Sequence, residues 1–275
     1  MSDPDEPQAW SPVAGAWDQY IDALDRWRAP ATDALVAHLA VRSGERVLEL
    51  AAGPGTLGAR WSSLVGPAGE VVLSDLAPAM VDVARRRNAS LANVTVEILD
   101  ATSIARPDAS FDVVACQMGL MLVPVPQDAF AEIHRVLVRG GRFAALVWAT
   151  AEENPWLSCI GVAAVASGIP LDVSPFGAGG IFSLADPRLL ASLAGDAGFA
   201  GVTVTAVDIV VRSQDPSSHV ERVTAVSGPI ALAVATATTE QATEYKRVAT
   251  EIVGGFAGPD GVAVPGRALL VTGTA

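Results

Sequence analysis

Residues 46–58 read Arg46-Val47-Leu48-Glu49-Leu50-Ala51-Ala52-Gly53-Pro54-Gly55-Thr56-Leu57-Gly58. Arg46–Leu50 is a short apolar strand candidate, the small residues after it form a tight turn, and Leu57–Val65 can be helical. A glycine turn between a strand and a helix lets a ligand approach the backbone N–H groups closely. Gly53 to Gly58 fits the spacing G-x-G-x-x-G, and Asp75 follows Gly55 by twenty residues, at the end of the next strand. A carboxylate there can hold both hydroxyls of a ribose. These features alone fit a dinucleotide site as well as an adenosylmethionine site.

Moving outward, strands and helices alternate. Glu70–Ser74 is a strand, and Pro78 opens a helix to about Asn88. Val94–Leu99 and Phe111–Cys116 are strands. Gln127–Val138 is an amphipathic helix that Gly140-Gly141 ends, and Arg142–Trp148 is a fifth strand. This alternation predicts an α/β fold with a mostly parallel sheet and helices on both faces. Ligands of such sheets bind beyond the carboxyl ends of the strands, so the loops after Leu50, Ser74, Leu99, Cys116 and Trp148 should share one rim. The predicted parts are an N-terminal helical cap over 1–43, a core over 44–150, an irregular insertion or lid over 151–185 and a C-terminal part over 186–275. That last part holds a helix capped by Asp186, a strand at Val202–Val211, a helical cap segment over 215–255 and a strand at Arg267–Thr274.

Three features separate the two ligand readings. Glu49 lies inside the end of the first strand, where a negative charge opposes a pyrophosphate but suits a sulfonium cofactor bearing an ammonium group. Asp100, followed by Ala101, ends the third strand and can accept from an adenine amino group. The third is the block Phe111-Asp112-Val113-Val114 with Arg135-Val136-Leu137-Val138-Arg139-Gly140-Gly141-Arg142 downstream. With these residues the chain resembles the class I S-adenosylmethionine-dependent methyltransferases, of the UbiE/COQ5-like, type 11 group. The likeness covers about residues 13–150 and the segments 182–199 and 267–274.

The resemblance implies a Rossmann-like sheet of seven strands with the last antiparallel, and S-adenosylmethionine as cofactor. It places Ala51, Gly53 and Gly55 along the methionine part and Glu49 on the amino group. It puts Asp75 on the ribose, Leu76 on the adenine ring, and Asp100 and Ala101 on the adenine edge. Gln117 and Met118 would face the sulfur, and Trp17 and Tyr20 would close over the site from the first helix. Ala52 and Arg139 depart from the usual pattern, where Cys or Gly and Pro are common, without removing a polar contact. For the acceptor, Trp156 and Phe176, with Asn154, lie in the insertion where that family builds substrate walls, and His219 lies in a segment that could fold over the site.

Composition narrows the rest. A net charge of −12 repels phosphate backbones, so no nucleic-acid partner is expected. Lys246, preceded directly by Tyr245, is the only lysine, which removes most schemes built on a Schiff-base lysine and leaves no Tyr-x-x-x-Lys pair. Cys116 and Cys159, and His38, His134 and His219, show no metal spacing, and Cys116 and His134 read as core. No run reaches membrane-spanning length and the start is acidic, which makes the cytoplasm the expected location. The reading is a methyltransferase with a small, apolar or aromatic acceptor, methylated on O, C or N. Its alternatives are a nicotinamide-dependent oxidoreductase and a methyltransferase-like cyclase or scaffold. Apolar residues in 156–182 and 223–236 suit an acceptor pocket, and could equally bury a homodimer contact.

Overall fold

The structure is a computed structural model that describes residues 9–171 and 174–275. Its sheet contains β1 (Arg46–Leu50), β2 (Glu70–Asp75), β3 (Val94–Ile98), β4 (Phe111–Gln117), β5 (Leu137–Trp148), β6 (Ala200–Ser213), β7 (Ala257–Gly258) and β8 (Gly261–Thr274). The order is β3-β2-β1-β4-β5-β8-β6, with the short β7 folding back on β8. The pairs among β1 to β5 are parallel, and β8 runs antiparallel to both β5 and β6. The expected Rossmann-like architecture with its one reversed strand is therefore present, and β7 is an addition to it.

The central strands are apolar on both faces. Val47, Leu48, Val113, Val114 and residues 143–147 are almost fully buried, as a sheet covered on both sides requires. The helices are α1 (Ala14–Leu39), α2 (Gly58–Val65), α3 (Pro78–Asn88), α4 (Pro126–Val136), α5 (Pro155–Ala166), α6 (Pro187–Asp196), α7 (Pro216–Val226), α8 (Gly228–Ala235) and α9 (Thr239–Gly254). The cap is one long α1 whose Ile21, Leu24, Trp27, Ala31, Leu35 and Leu39 are buried. Burying a leucine of that stripe contributes about 1.5–3 kcal/mol. Pro30 lies inside α1 and removes one backbone hydrogen bond, a loss the packed stripe offsets. Ala40, left-handed at φ 44°, ends the helix.

Three sequence expectations need correction. Residues 155–166, expected as irregular insertion, form α5. That segment is apolar all round, so it lacks the polar face that marks a helix in sequence. The helix before Gly140-Gly141 stops at Val136, and β5 starts at Leu137 and runs through both glycines. A bulge between Phe111 and Val113 accommodates them, with Gly140 at φ 79°. The last strand begins at Gly261, six residues before the expected Arg267, because β6 extends to Ser213 and offers it a partner.

One glycine of the opening motif is fixed by packing. A Cβ on Gly58 would stand 2.1 Å from Asn88 Oδ1 and 2.9 Å from Leu73 Cδ1. Asn88 is buried and donates to the carbonyls of Gly55 (3.0 Å) and Ala84 (2.8 Å), tying the loop to α3. Gly58→Ala is expected to expel this amide and lower stability by on the order of 2–3 kcal/mol, read as a shift in the urea midpoint.

Candidate cofactor site at the carboxyl rim of the sheet

Neighbouring strands β3, β2, β1 and β4 end side by side, which brings Asp100, Asp75, Glu49 and Gln117 to one rim. The loop after β1 reaches the rim through left-handed residues: Ala51 at φ 50°, Gly53 at 54° and Gly55 at 72°. Met118, after β4, is left-handed too at 62°. A non-glycine residue there costs about 1–3 kcal/mol, and such strain concentrates at functional sites. The Ala51 and Met118 loops meet closely: a Cβ on Gly119 would lie 2.2 Å from Ala51 Cβ. A Cβ on Gly53 would meet nothing within 4 Å, so the loop presents open backbone there.

Each acid has a distinct environment. Asp75 Oδ2 accepts from the Gly53 N–H at 2.8 Å and Oδ1 from the Ala77 N–H at 2.9 Å. One side chain thus couples the β1 loop to the start of α3. Burial pushes its carboxyl up, and the N–H groups of Ala77, Gly53 and Leu76 partly oppose this. Asp100 Oδ1 accepts from both the N–H and the hydroxyl of Thr102, at 2.7 and 2.8 Å, forming a turn with Ala101 in it. Leu76 and Ala101 are half-buried beside these acids.

Glu49 is the unusual one. It is 2% exposed, and Trp61 Nε1 donates to its Oε2 at 2.8 Å. Burial raises its carboxyl to about 8, against the opposing effects of the Trp61 hydrogen bond and the Arg28 charge. Without a bound cation the group therefore holds its proton through neutral pH. The folded protein keeps a proton that the unfolded chain releases above the ordinary carboxylate range. This linkage removes stability as pH rises from that range to about 8. Glu49→Gln is expected to flatten that part of the profile, measured as thermal midpoint against pH in the ligand-free protein.

The cap is pinned over the rim. Trp17 Nε1 donates to the Val226 carbonyl at 2.9 Å, and the Tyr20 hydroxyl reaches Glu221 Oε1 at 3.4 Å. Both polar atoms thus point to α7. Thr32 donates to Gln117 Oε1 at 2.7 Å, and Arg87 pairs with Asp18 at 2.7 Å, joining α1 to β4 and α3.

The expected acceptor residues are placed differently. Trp156 is 7% exposed, with Nε1 on Asn154 Oδ1 and its ring against Trp148. His219 is fully buried, Nδ1 on the Ser213 hydroxyl at 3.2 Å and Nε2 on the Trp156 carbonyl at 3.1 Å. One ring nitrogen ties α7 to the end of β6 and the other ties it to α5, so both are engaged within the fold. Phe176 is 65% exposed and stacks on Phe182, so it lines no enclosed wall. His134 packs on Phe199, and burial pushes the Cys116 thiol up to about 12, the core roles their sequence positions suggested. Among the described residues no group of acids, cysteines and histidines could hold a metal.

The sequence reading missed Trp61 and Arg28. Arg28 follows Trp17, Leu24 and Trp27 on the apolar side of α1 and is itself buried. A charge on an apolar stripe is the signal that could have found it. Trp61 reads as core, and only its distance to Glu49 shows otherwise.

Comparisons with known proteins agree with this geometry. Residues 47–141 match the family model described as a methyltransferase domain. The ubiquinone/menaquinone biosynthesis C-methyltransferase UbiE of Erwinia tasmaniensis is 39% identical over 118 residues. That of Ectopseudomonas mendocina is 40% identical over 121 residues. The likeness to a methyltransferase domain thus falls on residues 47–141, the stretch that carries the glycine loop and its acids. The alignments cover 42% and 43% of this chain and 47% of each relative, so the chain spans about half the length of the curated relatives it matches. Two solved structures share the fold of this chain more widely. The YcgJ protein of Bacillus subtilis, at TM-score 0.58 and 18% identity, covers 88% of the chain and 96% of its own. The [4+2]-cyclase SpnF, at 0.56 and 20%, covers 99% and 98%.

The rim suits S-adenosylmethionine as cofactor. A buried carboxyl on β1, an open glycine backbone and a carboxylate at the end of β2 supply complementary groups for an amino-acid end and a ribose.

Proposed function

We propose that the chain is an S-adenosylmethionine-dependent methyltransferase for a small, apolar or aromatic metabolite. The observation that carries this is the row of Glu49, Asp75 and Asp100 at the ends of three adjacent strands, within a domain like UbiE. A nicotinamide cofactor would place a pyrophosphate near Glu49, a buried acid with no use for an anion. The two UbiE relatives are C-methyltransferases of ubiquinone and menaquinone biosynthesis; a phenolic or quinol-like acceptor is the first class to try here.

The cofactor supplies an electrophilic methyl group on a sulfonium, whose departure leaves a neutral thioether. The protein's share is placement and dryness. Gly53 and Gly55 would hold the methionine portion, Asp75 the ribose and Asp100 with Ala101 the adenine edge. Glu49 would take the ammonium, losing its own proton. Trp17 and Tyr20, anchored to α7, cover the rim and exclude water. The apolar helices α5 and α8 pack on each other and on α7 and would give an acceptor an oily approach. No helix among the described residues is long and apolar enough to cross a membrane.

Calorimetry with S-adenosylmethionine, its demethylated product and NADH tests the reading. Binding of both sulfur compounds and not of NADH is expected; the reverse pattern sinks it. Affinity for the methyl donor should strengthen as pH rises toward about 8 and level off above it, because Glu49 must ionise to receive the ammonium. A flat profile would remove Glu49 from the ammonium contact. A methyl-transfer assay over phenolic and quinol acceptors then separates an active enzyme from a non-methylating relative of the fold.

A further inference from the structure

The last part of β6 and the first part of β8 project beyond the carboxyl rim of the sheet. β5 ends at Trp148, level with Ala268 of β8, and Ala268 pairs with Val207 of β6. From Asp208 to Ser213 the strand β6 runs past that level, paired with β8 alone. Helices α1 and α7 pack against this projecting ribbon, and Trp27 Nε1 fastens α1 to it by donating to the Arg212 carbonyl at 3.0 Å. A cleft of about 390 Å³ lies at the junction, with Arg26 of α1, Arg212 of β6 and Arg222 of α7 in its walls. It is separate from the cofactor rim. Thr32 turns its side of α1 to Gln117 at the end of β4. Arg26 and Pro30, one turn apart, share a side about 200° round the helix from Thr32.

The three guanidiniums are unusual in an acidic chain. Most of the arginines here hold a carboxylate, but among the described residues Arg26, Arg212 and Arg222 hold none. The neighbouring acids do not serve them. Asp208, also in the cleft wall, pairs with Arg267 at 2.7 Å. Glu221 accepts from the Tyr20 hydroxyl, and Asp22, one turn before Arg26 on α1, makes no ion pair with it. Arg222 is held by aromatic rings instead, 5.0 Å from the Trp27 centroid and 5.9 Å from that of Tyr20. A guanidinium resting on ring faces keeps its N–H edge for an anion. Three like charges around one cleft repel one another, and an anion among them turns that repulsion into attraction.

We propose that this cleft binds a small organic phosphate, with the phosphate among Arg26, Arg212 and Arg222 and an apolar body against Trp27, Pro30 and Val210. The donor count selects the anion. A carboxylate has two oxygens and one charge, which a single guanidinium fork satisfies. A phosphate monoester carries three terminal oxygens and nearly two charges, enough for three arginines. The site lies outside the methyl-donor rim and does not depend on that reading. Its ligand touches α1, β6 and α7 together, so binding fastens the cap.

Isothermal titration with phenyl phosphate, inorganic phosphate, benzoate and benzyl alcohol, at one fixed ionic strength near 0.15 M, tests this. Phenyl phosphate should bind most tightly, inorganic phosphate and benzoate each roughly 10-fold more weakly, and benzyl alcohol not at all. Arg26 and Arg212 are exposed, so Arg26→Gln and Arg212→Gln remove charge without disturbing the core. Each should weaken phenyl phosphate by roughly 10-fold, the loss typical of one charge-assisted contact. Their thermal midpoints without ligand should not fall, since each removed charge faced its like. Phenyl phosphate bound equally by wild type and the double variant overturns the site, as does no binding by wild type. Benzoate bound as tightly as phenyl phosphate overturns the phosphate assignment. A hexaglutamate peptide that binds more tightly than phenyl phosphate would make the cleft a dock for an acidic protein segment and overturns the small-molecule reading.

Discussion

Asp75→Ala is expected to reduce methyl transfer by roughly 100-fold or more, with cofactor affinity carrying most of the loss. Two charge-assisted hydrogen bonds to a ribose would disappear, each worth about 1.5–3 kcal/mol. The structure adds a second route to the same outcome. Asp75 also accepts from the Gly53 and Ala77 N–H groups, so its removal frees the glycine loop from α3. Asp75→Asn separates the two routes. The amide keeps one acceptor and can retain a loop contact, while losing the charge and one ribose acceptor. Its expected affinity lies between wild type and alanine, with near-normal stability. Isothermal titration and urea unfolding of both variants provide the measurements. Full activity in Asp75→Ala would mean that the ribose is held elsewhere.

Trp61→Ala should be the most damaging single change to stability away from the glycines. The indole is fully buried on α2, and emptying such a site costs about 3–5 kcal/mol. Glu49 would also lose the donor that satisfies its buried carboxyl. Trp61→Phe isolates that second effect, because most of the apolar volume stays. It should cost only about 1–2 kcal/mol in stability, while pushing the Glu49 carboxyl above its value of about 8. The sign follows from the hydrogen bond, which favours the ionised form. In Trp61→Phe the pH at which cofactor binding levels off should therefore move upward. Unchanged binding across pH would show that the indole supports packing alone.

The core of this protein was legible because its signals are local. The run Arg46–Gly58 carries a strand, a turn and the start of a helix in thirteen residues, and Asp75 and Asp100 sit where the next two strands end. The reversed final strand followed from the resemblance, and its register with β5 and β6 from hydrogen bonds no spacing encodes. The cap was harder to read. Helix α5 shows no polar face, so its sequence lacks the periodicity that announces a helix. His219 looked chemically useful in isolation, yet its two nitrogens are taken by Ser213, six residues before it, and by the distant Trp156 carbonyl. The Glu49–Trp61 bond and the Arg28 position are likewise tertiary facts. They depend on how α1 and α2 lie against β1, and that is set by packing rather than by any short motif.

The strand order has a consequence for how the chain is assembled. β8, made from residues 261–274, lies between β5 and β6 rather than at a margin. A ribosome delivers β6 some fifty residues before the strand that must separate it from β5. During that interval β5 keeps an unsatisfied side, and β6 has no neighbour at all among the earlier strands. The cofactor half, β1 to β4, can consolidate while synthesis continues, and the sheet closes only when the late strand slides into its slot. Nascent chains halted before residue 261 should thus be open to β-sheet mispairing and to chaperone capture.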